Sequence, residues 1–144
     1  MKINSTSLNP IKIVVGVPCS GKSWICNQLK DKYNYIPHDE YMHSHNAYIG
    51  AVINAANTGN KPVLAEIPFS MSDIQRVLDK HKLGHEFVFV IEPQNTLRER
   101  YRSREDKEIP QGHLTRQNTY NERADFLRAK KGTSSQILDY LNEN

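Results

Sequence analysis

The chain has 144 residues, enough for one domain that buries roughly two thirds of its unfolded surface and too few for a second. Its formal net charge of +3 is mild, so it allows an anionic substrate without demanding nucleic acid. The two cysteines, Cys19 and Cys26, suit neither a metal site nor a disulfide framework, which favours a reducing compartment.

The lead-in MKINSTSLNP has no apolar signal-peptide core, and no run approaches the ~20 apolar residues of a membrane span. A soluble cytoplasmic protein is expected. No internal repeat is visible, and residues 1–144 read as one domain. Ile11 to Val15 (IKIVV) is a β-branched run of the kind that fills a buried strand. A glycine-rich segment follows, and then Ile25, Cys26, Leu29 and Tyr33 recur at helical spacing. Tyr33 to Pro37 is a weak second strand. His45 to Asn57 carries an apolar stripe of Tyr48, Ile49, Val52, Ile53 and Ala56, and Thr58-Gly59-Asn60 ends it. Pro62 to Ile67 is a third strand bounded by Pro68. Ser70 is placed to cap a helix bearing Ile74, Val77 and Leu78. Glu86 to Ile91 (EFVFVI) is the clearest strand, and Pro93 opens a helix reaching Arg104. Glu105 to Gly112 reads as a charged loop, His113 to Leu127 as a polar helix, and Ser134 caps a last helix with Ile137, Leu138 and Leu141. A fifth strand between Leu127 and Ser134 has little support. Alternating strands and helices imply a parallel sheet with helices on both faces.

The first turn carries chemistry. Gly16 to Ser23 reads GVPCSGKS, a G-x-x-x-x-G-K-S segment between strand and helix. Gly16 and Gly21 let the backbone wrap closely around phosphates, and Pro18, Cys19 and Ser20 complete the loop. Lys22 would reach the β- and γ-phosphates of ATP, and Ser23 would offer its hydroxyl to Mg²⁺. Trp24 follows in the nucleotide-contacting stretch, although its bulk favours packing against the sheet over stacking on a base.

Length argues against motor and switch NTPases, which need a larger core. Asp39, in PHDEY just past the second strand, lies where strand ends face the ligand crevice. A carboxylate there can accept the proton of an attacking hydroxyl; the alternative is a helix cap or a solvated turn, and Glu40 is a lesser substitute. Glu66 ends the third strand, where it either serves the site, orienting a Mg²⁺-bound water or holding the substrate, or is an exposed strand-end glutamate. TLRERYRSREDK (residues 96–107) sets Arg100 and Arg104 on one helical face with Leu97. These arginines either close over ATP or pair with Glu99, Glu105 and Asp106 on a solvated surface. His38, His43 and His45 match no standard zinc spacing.

GVPCSGKS, the Asp of PHDEY, the Glu of VLAEI and LRERYRSR together resemble the small P-loop kinases related to phage polynucleotide kinase and the zeta-toxin-like kinases. The resemblance runs from about Lys12 to Leu141, and GTSSQILDYL is similar to their terminal segment, whose preceding loop borders adenine. It implies a P-loop NTPase fold, three-layer α/β/α, with a parallel sheet of four or five strands in the order 2-3-1-4-5. A short arginine-bearing lid is expected at about 104–113. It also implies transfer of the ATP γ-phosphate to a hydroxyl, with Asp39 as general base, Arg100 and Arg104 as lid arginines and Glu66 near the acidic strand end. The chain departs from that pattern at Met42, where such kinases carry an arginine for a substrate phosphate, at the bulky Trp24, and at Glu66, one methylene longer than the usual Asp. A nucleic-acid hydroxyl is the leading acceptor, either a polynucleotide 5′-OH or a hydroxymethylated base in DNA. Arg98 to Arg104, Arg116, Arg123, Arg128, Lys130 and Lys131 would line it. The alternatives are a small-metabolite, nucleoside or nucleotide kinase, against whose nucleotide form counts the absence of arginine from His43 to Asn57, and a nucleotide-binding regulator without turnover.

Overall fold

Alternate residues of the first strand belong to different cores, and that alternation sets the layers. In the computed structural model, which describes residues 10–67 and 71–143, β1 spans Ile11–Val15. Ile11, Ile13 and Val15 face one way, into a core closed by α2 (His45–Thr58), α3 (Met71–Lys80) and Ala124 of α5 (Gln111–Leu127). Val14 faces the other way. It meets Ile25 and Cys26 of α1 (Lys22–Gln28), and Ile137 and Leu141 of α6 (Ser134–Glu143). Both faces are thus covered, which is why the inner strands read as continuous apolar runs rather than alternating ones.

Five strands form one parallel sheet in the order β2-β3-β1-β4-β5. They are β1, β2 (Asn34–Ile36), β3 (Val63–Ile67), β4 (His85–Val90) and β5 (Lys130–Gly132). The three-layer α/β/α arrangement and the strand order agree with the sequence reading. The fifth strand exists: it pairs Val88 with Lys130 and Val90 with Gly132. Its side chains are mostly exposed, so backbone hydrogen bonding holds it and no apolar pattern marks it. β2 is an edge strand that pairs only with β3.

Some boundaries move. The first helix ends at Gln28, so Tyr33 lies beyond it. Tyr33 is still buried, and its hydroxyl donates to the Leu141 carbonyl at 2.8 Å, tying the segment to α6. The cap expected at Ser70 lies outside the described residues. α4 (Gln94–Glu105) runs to Glu105, where Asp106 in the left-handed region (φ 56°) stops it. α5 begins at Gln111, so the span between the two helices is residues 106–110. Ile109 anchors that link, buried with Val17, Leu97, Tyr101 and Leu114. No described helix is long and apolar enough to cross a membrane.

Candidate active site

The loop between β1 and α1 is shaped by what its glycines omit. A Cβ on Gly16 would stand 2.5 Å from the Ser20 hydroxyl, and one on Gly21 would stand 2.8 Å from the Cβ of Ser134. Gly21 has φ 103°, a conformation that strains any other residue. Cys19 also sits at positive φ, 71°. Gly21 caps α1 without a side-chain hydrogen bond, so the first N–H groups of the helix remain for an outside acceptor. Ser20 is fully buried, and its hydroxyl has no hydrogen-bond partner among the described residues. A closed loop with free donors and an orphaned hydroxyl fits a phosphate group.

A cavity of about 640 Å³ opens beside this loop. Pro18, Cys19, Gly21, Lys22, Ser23 and Trp24 form one wall; Arg100 and Arg104 of α4 and Ser134 and Ser135 of α6 form the other. Gly16 and Ser20 shape the loop from inside and do not line the cavity. Trp24 corrects the expectation of packing against the sheet: it is 47% exposed and faces the cavity. α1 turns Ile25 and Cys26 inward, which leaves the preceding residue on the outer side of the turn.

Burial lowers the Lys22 pKa; the nearby Glu66 and Asp39 carboxylates raise it, and the Arg116 charge lowers it further. Glu66 is buried (6% exposed) and occupied on both oxygens. Ser23 Oγ donates to Oε1 at 3.5 Å. Oε2 accepts from the Tyr35 hydroxyl and, at 3.4 Å, from the His38 N–H. Its own N–H donates to the Tyr48 hydroxyl at 2.9 Å, which donates onward to the Ile36 carbonyl at 2.7 Å. Of the two alternatives left open by the sequence, the exposed strand-end glutamate is excluded. Burial, then the hydrogen bond to Glu66, pushes the Tyr35 pKa well up, so the phenol stays a donor.

That network reaches the turn after β2. Glu66 grips the backbone of His38, the first residue of a 3-10 turn over His38–Tyr41. Asp39 is on this turn and exposed. It lies outside the cavity lining, yet its charge acts on Lys22 and on His38. Met42 is 72% exposed, and α2 beyond it carries no Lys or Arg. Among the described residues, no group of three or more His, Cys, Asp or Glu could hold a metal ion.

Sequence reasoning missed Glu92. This carboxylate at the end of β4 is 5% exposed and pairs with Arg100 at 3.2 Å. It also accepts from the Ser134 N–H at 3.0 Å and the Ser134 hydroxyl at 2.6 Å. Arg100 donates its other arm to the Cys19 carbonyl at 3.0 Å. Arg100 therefore braces the phosphate loop against β4 and α6 while bordering the cavity. Arg104 pairs with Glu105 at 3.1 Å. Gln117 of α5 exchanges two hydrogen bonds with the Glu92 backbone, at 3.0 and 2.7 Å.

No family model matches the chain, and no curated protein matches it significantly. Among solved structures, the chain is similar to a gluconokinase from Sinorhizobium meliloti 1021. The two are 20% identical with a TM-score of 0.51, over 77% of this chain and 74% of that one. At that identity the likeness is one of fold, and it puts this chain on the fold of a P-loop kinase.

Proposed function

We propose that the chain is an ATP-dependent kinase that moves the γ-phosphoryl group to a hydroxyl of a small molecule, either a metabolite, a nucleoside or a nucleotide. The observation that carries this reading is the one-sided arrangement of the site. The loop, Lys22, Arg100 and Arg104 border one cavity, and Glu66, bonded to Ser23, ties the loop to the turn bearing Asp39.

In the reaction, the acceptor oxygen attacks the γ-phosphorus and the bond to the β–γ bridging oxygen breaks, releasing ADP. Asp39 takes the hydroxyl proton. The loop N–H groups hold the phosphates in line, and the anionic phosphates favour the charged form of Lys22 against its burial. Mg²⁺, when bound, would neutralise the phosphate oxygens, with Ser23 as direct ligand and Glu66 holding a coordinated water. Trp24, Ser134 and Ser135 border the side of the cavity suited to the nucleoside part of ATP.

A nucleic-acid hydroxyl, whether a polynucleotide 5′-OH or a hydroxymethylated DNA base, has less support. Four of the nine cations that reading calls on are engaged within the chain: Arg100 with Glu92, Arg102 with Glu108, Arg104 with Glu105 and Lys131 with Asp125. Beside Asp39 the turn offers only histidines, so no permanent cation grips an acceptor phosphate there.

The test is Asp39→Asn. Phosphoryl transfer should fall by about 10²–10⁴-fold, the range for loss of a general base. ATP affinity, read from the fluorescence of Trp24, the single tryptophan, should not change. Full transfer activity in the variant would remove Asp39 from the mechanism.

A further inference from the structure

The open edge of the sheet has a cavity that the donor site does not use. About 450 Å³ in volume, it runs along β2, which among the described residues has no strand on its outer side. Lys30, just past α1, and Lys61, just before β3, both line it. Both chain segments flank β2, and both lysines border the same groove. Among the described residues, neither lysine has a carboxylate at ion-pair distance.

The groove has a direction. The Asn34 N–H donates to the Pro62 carbonyl at 2.8 Å, so the start of β2 lies beside Lys61. At the other end the lining residue is Glu40, next to Asp39 on the 3-10 turn. The groove is therefore cationic where β2 begins and anionic where it ends. From Asn34 to Pro37 is three strand steps, or about 10 Å. Tyr35 forms part of the wall between, and its hydroxyl is bound to Glu66, so an occupant would lie against the frame that holds the acceptor turn.

We propose that this groove binds the distal phosphate of the acceptor, with Lys30 and Lys61 holding the phosphate while the hydroxyl to be phosphorylated lies past the Glu40 end of the groove, toward Asp39. Glu40 receives hydroxyl donors and repels a phosphate placed at the wrong end. The proposal rests on the kinase reading, since it names a charge carried by the kinase's acceptor. It also explains how a site without arginine on α2 can recognise a phosphorylated compound. The phosphate can belong to a monophosphate ester or to a phosphodiester chain.

The experiment fills the donor site with Mg²⁺ and a non-hydrolysable ATP analogue, then titrates thymidine 5′-monophosphate, a thymidine tetranucleotide and inorganic phosphate separately by calorimetry. The same titrations are run on Lys30→Ala/Lys61→Ala and on Lys30→Arg/Lys61→Arg. Saturable binding of either organic phosphate is expected. It should weaken about tenfold or more in the alanine pair, equivalent to 1.4 kcal/mol, and persist in the arginine pair. Whichever compound binds identifies the source of the phosphate. Absence of binding, binding of inorganic phosphate alone, or equal binding in the alanine pair would each overturn the proposal. The Trp24 response to ATP, recorded on the same samples, separates the two readings. If that response is intact but no organic phosphate binds, only the groove fails; if it is absent too, the kinase reading fails.

Discussion

Removing Arg100 should destabilise the fold before it affects phosphate binding. Glu92 is 5% exposed and meets Arg100 at 3.2 Å, so Arg100→Met leaves a carboxylate buried with only its two Ser134 donors. Breaking a buried pair costs about 3–5 kcal/mol. The guanidinium side is 40% exposed, however, and solvent screens it, which reduces the loss to about 2 kcal/mol. With a urea dependence of roughly 2 kcal/mol per molar, the unfolding midpoint should drop by about 1 M with its slope unchanged. Adding Glu92→Gln should restore part of the loss, because the buried charge is gone while an acceptor for Ser134 remains. Urea titration followed by circular dichroism measures both. If Arg100→Met keeps the wild-type midpoint while ATP binds about tenfold more weakly, Arg100 is a phosphate ligand and the bracing role is wrong.

Other changes follow from the same geometry. Gly21→Ala would put a methyl 2.8 Å from the Cβ of Ser134 on a backbone at φ 103°. A loss of about 1–3 kcal/mol in urea stability is expected, together with loss of the Trp24 response to ATP. Tyr48→Phe removes the hydroxyl that joins the Glu66 N–H to the Ile36 carbonyl. It should cost about 1–3 kcal/mol, the range for buried groups left unpaired. His38 and His113 are both held below the usual histidine pKa, chiefly by burial and then by His45 and by Arg116 respectively. The unfolded chain therefore binds more protons than the folded one below about pH 6.5, and stability should fall as pH drops from there through the folded values. The drop in urea midpoint between about pH 7.5 and pH 5.5 should shrink in His113→Phe.

What the sequence made legible was local. The phosphate loop needs a short run of residues in a strand–loop–helix setting, and buried parallel strands announce themselves as β-branched runs. The fifth strand did not, because Lys130–Gly132 is held by its backbone against β4 and its side chains obey no pattern. Glu92 was invisible for a different reason. Its meaning depends on α4 and α6 converging on the end of β4, and nothing in the spacing of Glu92, Arg100 and Ser134 encodes that. The arginine series has partners that its spacing does not encode: Arg100 meets Glu92 and the Cys19 carbonyl, while Arg102 and Arg104 pair with Glu108 and Glu105. Trp24 was misjudged because bulk suggests burial, whereas the turn of α1 that buries Ile25 and Cys26 sends the indole to the cavity.

The most direct test of the central claim is transfer of labelled γ-phosphate from ATP across a panel of sugar alcohols, sugar phosphates, nucleosides, nucleotides and 5′-hydroxyl or hydroxymethylated DNA. The account predicts label in at least one small hydroxyl compound and its loss in Asp39→Asn. Label in no acceptor, from protein whose Trp24 fluorescence reports bound ATP, would contradict it.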